Sequence, residues 1–488
     1  SWRMVLMGRI NTNVSALIAL NQLQRSSGEL QTTLERLSSG LRINRGADDP
    51  AGLIVSENLR SEIAGIRQAI ANTQRASNIV ATTEGALNEA AALLNDVQGL
   101  ILEAANTGAV SEQEIRANQL QIDSAVESIT RIANSTRFAG RRLLDGSLDY
   151  ILSGVSSTAL GNVQINNATF GTASFLPVNV TVTQSAQQGQ LFFATSALGQ
   201  AVDIEVAGNN GVTSLSFAAS STASAILAAV NLVSDATGVT AQLINSSTPA
   251  SGISFRSEEF GTDAFVRIEA LANSAGTFTV TDAAGGGSTV TRDEGRDILV
   301  SINGASTIGD GLNVKLNTSG LSLQFSVQQV LNTVGGTTSF AITGGGANFQ
   351  LGGGISSNEQ KSLGFQSVAA TRLGDTTLGF LSQITDGQVY SIVNGEAARA
   401  QKIVNAAIDQ ISSLRGRLGS FEKNTLETNI RQLQITLENL TAAESLIRDA
   451  DFAQETSALT RAQVLQQAGT AVLAIANQSP ANVLSLLQ

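Results

Sequence analysis

The sequence predicts a multidomain α plus β protein, in which long paired N- and C-terminal helices flank a β-rich central insertion. Two observations predict this fold class. At both ends of the chain, apolar residues recur at spacings of three and four over long stretches, as in helices that pack as a bundle or coiled coil. In the middle, short alternating runs are separated by turns rich in Gly, Ser and Thr, which is typical of half-buried strands.

The first elements along the chain are three predicted helices. The first carries a seam of leucines: Leu20, Leu23, Leu30, Leu34 and Leu37. The second seam runs from Leu59 to Ile101 and includes Ile70, Ser77 and Glu84. A straight helix from residue 50 to about residue 106 would be on the order of 80 Å long, which is longer than a compact domain needs. The third seam, from Ile115 to Ala133, predicts another helix.

A polar segment, residues 35–52, interrupts the helical rhythm between the first two helices. Gly40 and Gly46 weaken a helix, and polar residues such as Asp48 favour turns and caps. Asp49 followed by Pro50 matches an N-cap with proline at the first helical position. We therefore expect an ordered connector between two helical layers, with a flexible hinge as the alternative.

The middle of the chain begins after residues 141–150. Strands are predicted at VNVTVT (178–183), VDIEV (202–206), SLSF (214–217), FVRIEA (265–270), TFTVT (277–281), LNVKL (312–316) and LSLQFSV (321–327). One helix is predicted at ASAILAAVNLV (223–233). The helical rhythm returns from about Tyr390, with a seam at Leu426, Ile430, Leu433, Leu437, Leu440 and Ile447.

Composition excludes several function classes. The chain has no His and no Cys, which removes His-based catalysis, Cys nucleophiles, disulfides and the usual zinc sites. A carboxylate pair of the glycosidase type stays open, but no motif supports an enzyme, and we expect no cofactor or metal. The net charge of −11 gives no footprint for nucleic acid. No apolar run approaches the roughly 20 residues needed for membrane insertion.

Both ends of the chain resemble bacterial flagellin. Residues 10–23, 34–60, 82–90 and 142–147 resemble the N-terminal signature of the family, and residues 439–455 and 465–488 resemble its C-terminal signature. Residues 214–243 resemble the small repeat inserted in many flagellin and hook-associated variable domains. The family usually has Ala where Pro50 stands, a difference that the capping argument tolerates.

The resemblance implies three domains. Residues 1–49 with 452–488 would form an inner coiled-coil domain and spoke, and residues 50–179 with 386–451 a helical-rod wall domain with a β-hairpin. Residues 180–385 would form an outward-projecting β-rich variable domain, with the insert-like repeat at about 200–244. The inner coiled coil would pack through Leu20, Leu23, Leu30, Leu34, Leu37, Leu465, Val472 and Ile475. The spoke would comprise Arg42, Asn44, Gly46, Asp48, Asp49 and Pro50.

The function that the resemblance implies is a structural subunit, exported without a cleaved signal peptide, that polymerises into the extracellular flagellar filament for swimming. Its expected partners are further copies of itself, an export chaperone at the C-terminal helices, and the filament cap and hook–filament junction proteins. O-linked glycans are expected on the outer domain, at no particular site. The alternatives are a hook–filament junction protein and a filament whose outer domain is an adhesin. Some flagellins carry a zinc protease, which a chain without His cannot form.

The resemblance also concerns recognition by the animal toll-like receptor. In flagellins that this receptor detects, a cluster of Arg, Leu and Glu lies on the wall helices. By alignment, the corresponding positions here are Asp96, Leu100 and Gln121, so only the apolar member is retained. Because a carboxylate in place of a cation reverses the sign of the contact, we expect weak or no recognition.

Overall fold

The computed structural model describes residues 12–171, 173–245, 251–271, 278–284, 286–318 and 320–485, with side chains as far as residue 478. Its N-terminal helices are α1 (Val14–Ser39), α2 (Pro50–Ala105) and α3 (Glu112–Ser135). Two short helices, α4 (Ala223–Leu232) and α5 (Ser234–Thr237), lie in the middle. The C-terminal helices are α6 (Ala397–Phe421), α7 (Glu427–Arg448) and α8 (Phe452–Ser485). Long helices at both ends therefore flank a β-rich middle, and the predicted fold class is confirmed.

The strands of the described residues, in chain order, all lie between α3 and α6. They are β1 (Arg137–Phe138), β2 (Arg141–Arg142), β3 (Tyr150–Ser153), β4 (Leu160–Ala168), β5 (Leu176–Gln184), β6 (Gln190–Phe193), β7 (Val202–Gly208), β8 (Gly211–Phe217), β9 (Val239–Leu243), β10 (Ile253–Ser257), β11 (Phe265–Ala270), β12 (Arg292–Glu294), β13 (Leu299–Ile302), β14 (Ala305–Ile308), β15 (Asn313–Asn317), β16 (Leu321–Val327), β17 (Thr337–Gly345), β18 (Ala347–Gln350), β19 (Gln360–Leu363), β20 (Gly374–Asp375) and β21 (Gly379–Phe380).

The chain divides into two compact units. The first is drawn from Ser1–Ala76, Gln350–Glu359 and Lys423–Gln488, and the second from Ser77–Phe349 and Gln360–Glu422. The three-domain division implied by the resemblance follows other boundaries and stays a prediction. Among the described residues, none of the helices combines the length and the apolar character that a membrane span requires.

The buried face of α2 follows a heptad pattern. One line of buried positions contains the large residues Val80, Leu87, Leu94 and Ile101, as the apolar spacing predicts. The second line contains Ala69, Ala76, Thr83, Ala90, Val97 and Ala104, whereas Ile70, Ser77 and Glu84 are only half-buried. The sequence therefore predicted the line of large residues and the buried Ile63 correctly, and from residue 70 onward it placed the second line one residue too far along. Small side chains occupy the second line because they allow a close approach of neighbouring elements.

A single widened turn joins α6 to α7. The buried residues of α6 end at Leu414 and Leu418, and the next buried residue is Leu426, in a π-helical turn of residues Glu422–Leu426. Eight residues separate Leu418 from Leu426, where a regular 3-4 pattern allows seven. The π turn takes up the extra residue, because each π turn contains more residues than an α turn.

The middle contains two β-modules, one inserted into the other. The outer module packs the five-stranded sheet β14-β13-β5-β17-β3 and the three-stranded sheet β15-β16-β4 around one apolar core. The inner module packs the sheets β6-β10-β9 and β12-β11-β7-β8 with α4 around a second core. The two ends of the inner module lie side by side, where Gln187 and Arg296 exchange backbone hydrogen bonds of 2.8 and 2.9 Å.

Most of the predicted elements of the middle are confirmed. Six predicted strands correspond to β5, β7, β8, β11, β15 and β16, and the predicted helix corresponds to α4. The predicted strand TFTVT begins at residue 277, which lies outside the described residues. In its described part, Thr281 makes only isolated bridges to Phe192 and Thr289. Near the start of the middle, β1 and β2 form a hairpin whose turn contains Ala139 and Gly140, both with positive φ.

Candidate functional site

The two ends of the chain pair as antiparallel helices α1 and α8. At one end of the pair, the Asn13 side-chain amide donates to the carbonyl oxygen of Ala476 at 2.6 Å. At the other end, a guanidinium nitrogen of Arg36 lies 3.3 Å from a carboxylate oxygen of Glu455. Glu455 is only 9% exposed, so Arg36 neutralises a charge that little water reaches. The Arg36–Glu455 pair thus fixes the register of this end of the seam.

Small residues form the line of closest contact between α1 and α8. On α1 the buried residues are Ala19, Ser26 and Thr33, spaced by seven. On α8, Ala462 and Ala476 are buried, and Gly469 lies halfway between them. A Cβ at Gly469 would lie 3.2 Å from Leu23 Cδ1, so the two helices nearly touch there. A repeat of small residues every seven positions is the signal that sequence analysis overlooked on α1.

The large apolar residues predicted to pack the coiled coil lie mostly outside this line. Leu23, Leu30 and Leu37 are half-buried. The other five are exposed: Leu20 (43%), Leu34 (47%), Leu465 (43%), Val472 (54%) and Ile475 (68%). Small residues bring the helices together and leave larger neighbours facing outward. The packing of these eight residues in the inner coiled coil stays a prediction.

The connector after α1 is tied to the chain just before α8. Gly40 ends α1 with a φ of 72°, a left-handed conformation that favours glycine. Its carbonyl oxygen accepts a 2.9 Å hydrogen bond from the backbone N–H of Ala450, and the N–H of Arg42 donates to the carbonyl of Arg448 at 2.7 Å. The Arg42 guanidinium also donates to the Ile447 carbonyl at 2.6 Å. These bonds form a short two-stranded bridge between distant parts of the chain.

Asp48 organises the turn that follows. One oxygen of its carboxylate accepts hydrogen bonds from the backbone N–H groups of Arg45 at 2.8 Å and Asn44 at 3.0 Å. These two amides, Arg45 first, hold the pKa of Asp48 below its ordinary value of 3.8. The Arg45 side chain makes a bidentate ion pair with Glu35, at 3.1 and 2.8 Å. The connector is therefore ordered by specific bonds, in agreement with the predicted contact-making segment.

The predicted cap of α2 is confirmed. The helix begins at Pro50, and the N–H of Gly52 donates to the Asp49 carboxylate at 2.9 Å. Gly46 does not adopt a positive φ, and a Cβ there would find only Leu53 Cδ2 at 3.7 Å. A side chain therefore fits at Gly46 without strain.

Two polar contacts fix α7 against the N-terminal half of α2. Arg448 donates to the carboxylate of Glu57 at 2.7 Å. This bond, followed by the contact with Arg60, lowers the pKa of Glu57. Further along, the Asn429 side-chain amide donates to Thr73 Oγ1 at 3.2 Å and to the Leu351 carbonyl at 2.8 Å. Sequence analysis missed these residues, because nothing in the chain indicates which polar groups meet.

The three receptor-related positions lie on α2 and α3. Asp96 and Gln121 are exposed, and Leu100 is half-buried. Among the described residues, no group of three or more acidic side chains could hold a metal ion.

Comparisons with known proteins point to one family. Residues 10–149 match the bacterial flagellin N-terminal helical region, and residues 401–487 match the bacterial flagellin C-terminal helical region. Flagellin of Salmonella rubislaw is 31% identical over 513 residues, covering 98% of this chain and 99% of that protein. Flagellin A of Vibrio cholerae serotype O1 is 30% identical over 483 residues with the same coverage. In a solved structure of the D1-D2-D3 domains of the Escherichia coli flagellar cap protein FliD, 74% of that chain aligns with 71% of this one, at 13% identity and a TM-score of 0.29.

Proposed function

The chain belongs to the flagellin family, and from that premise we propose how its parts serve filament assembly. Flagellins are structural proteins, and this chain is a structural subunit of the extracellular filament that drives bacterial swimming. Its filament neighbours are further copies of itself and other flagellar proteins such as the cap. The proposals below concern the residues that carry assembly, export and recognition.

The exposed apolar faces of α1 and α8 carry the assembly proposal. Large apolar side chains on these helices are 43–68% exposed: Val14, Leu17, Ile18, Leu20, Leu34, Val464, Leu465, Val472 and Ile475. Fully burying one such side chain is worth about 1.5–3 kcal/mol. A pair of helices that keeps so much apolar surface in water gains most from covering it with other copies. We infer that these faces become the inner coiled-coil layer of the filament.

Self-assembly of the purified protein tests this proposal. We expect long filaments by electron microscopy after seeding, with every subunit equivalent along the filament. Short caps or rings without elongation would instead favour the hook–filament junction alternative. If wild-type filaments bind host surfaces and filaments lacking residues 180–380 do not, the adhesin alternative gains support.

Order at the termini is expected to depend on polymerisation. The line of contact between α1 and α8 consists of small residues such as Ala19 and Ala462, which bury little area at roughly 25 cal/mol per Å². We therefore expect fast amide hydrogen exchange over residues 455–488 in the soluble subunit and slow exchange in the filament. Strong protection of these amides in the soluble subunit would contradict this expectation.

Export is proposed to use the same apolar faces. Before assembly, α8 presents Val464, Leu465, Val472 and Ile475 to solvent, which suits an export chaperone that binds an amphipathic helix in a groove. A chain without Cys needs no disulfide to be broken before export. We also propose O-linked glycans on the two β-modules. Mass spectrometry of secreted filaments tests this proposal, and peptides of residues 150–345 that carry no glycan would contradict it.

Toll-like receptor recognition is proposed to be weak. Asp96 is an exposed carboxylate where detected flagellins carry Arg, and Gln121 is uncharged where they carry Glu. Like-charge contact costs several kcal/mol at an interface, and a hydrogen bond to a charged group is worth about 1.5–3 kcal/mol. We expect the double variant Asp96→Arg/Gln121→Glu to activate a reporter cell at lower concentrations than the wild type. Equal and strong activation by both proteins would overturn the alignment.

The connector is proposed to influence filament shape. A helical propeller needs subunits that pack in two nearly equal ways, and substitution of Gly46 or Pro50 changes the backbone freedom between α1 and α2. We expect Gly46→Ala or Pro50→Ala to bias filaments toward one form in dark-field microscopy. An unchanged waveform in both variants would place shape control elsewhere in the chain.

A further inference from the structure

The π turn between α6 and α7 allows two different faces of α7 to continue the apolar stripe of α6. In the observed structure, the turn at Glu422–Leu426 takes up one residue, so that the stripe continues through Leu426, Ile430, Leu433, Leu437, Leu440 and Ile447. Without that extra residue in the turn, a regular 3-4 pattern from Leu414 and Leu418 would continue through Phe421, Thr425, Thr428, Gln432, Ile435, Asn439, Ala442 and Leu446. The two faces are one residue, or about 100°, apart on the helix.

The second face carries the most exposed apolar side chains of α7. Ile435 is 61% exposed and Leu446 is 84% exposed, and Ala442 between them is exposed as well. A helix with only one buried face would normally place polar residues at these positions. Ile435, Ala442 and Leu446 are spaced by seven and four residues. If the π turn lay near the end of α7 instead, a regular 3-4 pattern continued from α6 would turn these three residues inward.

The surface of α2 that meets the start of α7 accepts polar partners. Thr73 is fully buried, and its Oγ1 accepts the 3.2 Å hydrogen bond from Asn429. Ser77 donates to the Glu422 carboxylate at 2.6 Å. The residue before Asn429 is Thr428, whose side chain is polar as well. A shift of α7 by one residue would therefore replace the Asn429 amide by the Thr428 hydroxyl as the polar partner of Thr73.

Two glycines lower the helix propensity of the chain just before the turn. Gly416 and Gly419 precede it by one to two turns, and a Cβ at either glycine would find no atom within 4 Å. Glycine in a helix costs about 1 kcal/mol relative to alanine, and these two glycines fill no close contact in return. The far end of α7 is held by the bonds of Arg448 to Glu57 and of its carbonyl to Arg42. If the π turn moved from residues 422–426 toward Arg448, only the residues between its old and new positions would rotate about the helix axis.

We propose that the π turn at Glu422–Leu426 can move along α7 and so change its register, and we call this movable turn the register device. With the turn at its present place, the Leu426–Ile447 face of α7 is directed toward the N-terminal half of α2. With the turn near the end of α7, the Ile435–Leu446 face is directed there instead. π turns inside α-helices are frequent at functional sites, and a helix with two packings supplies the bistability that a shape change requires. The proposed biological consequence, selection of filament shape, rests on the filament function proposed above. The register change itself belongs to the single chain.

Cysteine cross-linking of the full-length soluble chain tests the register directly. Because the chain has no native Cys, the pair Thr73→Cys/Asn429→Cys reports the observed register and the pair Thr73→Cys/Thr428→Cys reports the shifted one. Deletion of Thr425 removes the extra residue and makes the first face continuous in a regular α-helix. We expect both pairs to cross-link in the full-length background. In the background without Thr425, the Thr428 pair should lose at least tenfold in yield, while the Asn429 pair stays within twofold.

The opposite results overturn the proposal. No cross-link for the Thr428 pair in the full-length background means a single register. An equal yield with and without Thr425 means that the pair reports only loose local motion. Should the Thr425 deletion not fold, the variant Gly416→Ala/Gly419→Ala stiffens the same segment at full length and is expected to lower the Thr428 yield, and an unchanged yield would count against the register device.

Filaments provide the second measurement. We expect filaments without Thr425 to keep one shape in dark-field microscopy while pH and salt are varied, whereas wild-type filaments change shape. Shape changes that persist without Thr425 would overturn the link between register and waveform. If the wild type forms no filaments at all, the proposed function fails while the cross-linking result on the soluble chain still stands.

Discussion

The paired terminal helices and the inner β-module bury their apolar residues in opposite ways. In the inner module, large side chains such as Phe255, Ile204 and Ile226 are fully buried around one core. In the α1–α8 pair, the buried residues are small, and Val472 and Ile475 are 54% and 68% exposed. The core of the inner β-module is covered by residues of the same chain. The helix pair leaves large apolar side chains exposed among the described residues.

This difference indicates where the free energy of each region comes from. A closed core gains its hydrophobic stabilisation when the single chain folds. A pair of helices joined by Ala, Ser, Thr and Gly buries little apolar area when it pairs, so under the proposed function we expect it to gain more from association with other copies. Changes to the helix pair should therefore affect assembly, and changes to the β-modules should affect only the stability of the subunit.

Truncation gives the largest expected contrast between the two regions. Removal of residues 465–488 deletes the part of α8 that carries Val472 and Ile475 and the contact at Gly469. We expect soluble, folded subunits that form no filaments, as measured by sedimentation and electron microscopy. Long filaments from the truncated chain would show that the helix pair is not the assembly surface.

The matching deletion in the other region should leave assembly intact. Replacement of residues 188–295 by Asn-Gly joins Gln187 to Arg296, which already exchange two backbone hydrogen bonds, through a two-residue hairpin turn. We expect filaments with a thinner outer layer and an unchanged critical concentration. A loss of filaments would mean that the inner module also holds subunits together.

A single bulky residue in the helix seam should have the next largest effect. Gly469→Leu places a side chain where even a Cβ would lie 3.2 Å from Leu23 Cδ1, so we expect α1 and α8 to move apart. We expect the critical concentration for polymerisation to rise at least tenfold, which corresponds to about 1.4 kcal/mol. Gly469→Ala, which adds only the Cβ at the same position, is the control and should give a smaller rise. An equal rise in both variants would contradict the importance of close approach.

Acid should weaken the connector. The amides of Arg45 and Asn44 lower the pKa of Asp48, so its stabilising contribution is present above the ordinary pKa of 3.8 and is lost as the pH falls through the lowered value. Asp48→Asn cannot take up this proton. We expect its filaments to dissociate with a shallower dependence on pH below about 4, measured by light scattering.

Asp297 in the outer β-module is the control for this titration. Burial raises its pKa, but hydrogen bonds from Thr262 and Gly311 outweigh burial and lower it overall. Asp297→Asn should change the acid unfolding of the subunit and leave the pH dependence of filament dissociation unchanged. The reverse outcome would place the acid-sensitive contacts of the filament in the β-modules.

The smallest expected effects are those of alanine substitutions at two glycines of the connector, Gly40 and Gly46. Gly40 has a φ of 72° and free space around its Cβ position, so Gly40→Ala should cost about 1–2 kcal/mol for the left-handed backbone alone. Gly46→Ala fits an ordinary backbone with space and should change the free energy of unfolding by less than about 1 kcal/mol. Chemical denaturation of the soluble subunit and the critical concentration of filaments measure both. Equal effects would mean that the connector backbone is not restrained at Gly40.

Local patterns in the sequence predicted much of this molecule. The 3-4 spacing identified α2 and α3, the alternating runs identified β5, β7 and β16, and Asp49-Pro50 identified the start of α2. The signatures at both ends indicated the flagellin family, which the matched regions at residues 10–149 and 401–487 confirm. These features depend on neighbouring residues or on the chemistry of one helix end, so the order of residues is sufficient to reveal them.

Tertiary structure alone decided which face and which partner each element has. Periodicity could not choose between Ile70 and Ala69 for the buried face of α2, nor between leucines and small residues for the α1–α8 seam, because that choice depends on how closely the neighbouring helix approaches. Nor could it pair Arg36 with Glu455, more than four hundred residues away. By itself the sequence determined the kinds of elements and their order, since hydrophobic spacing and capping act locally. Contacts between distant parts of the chain determined the register and the faces left exposed, since these follow from packing in three dimensions.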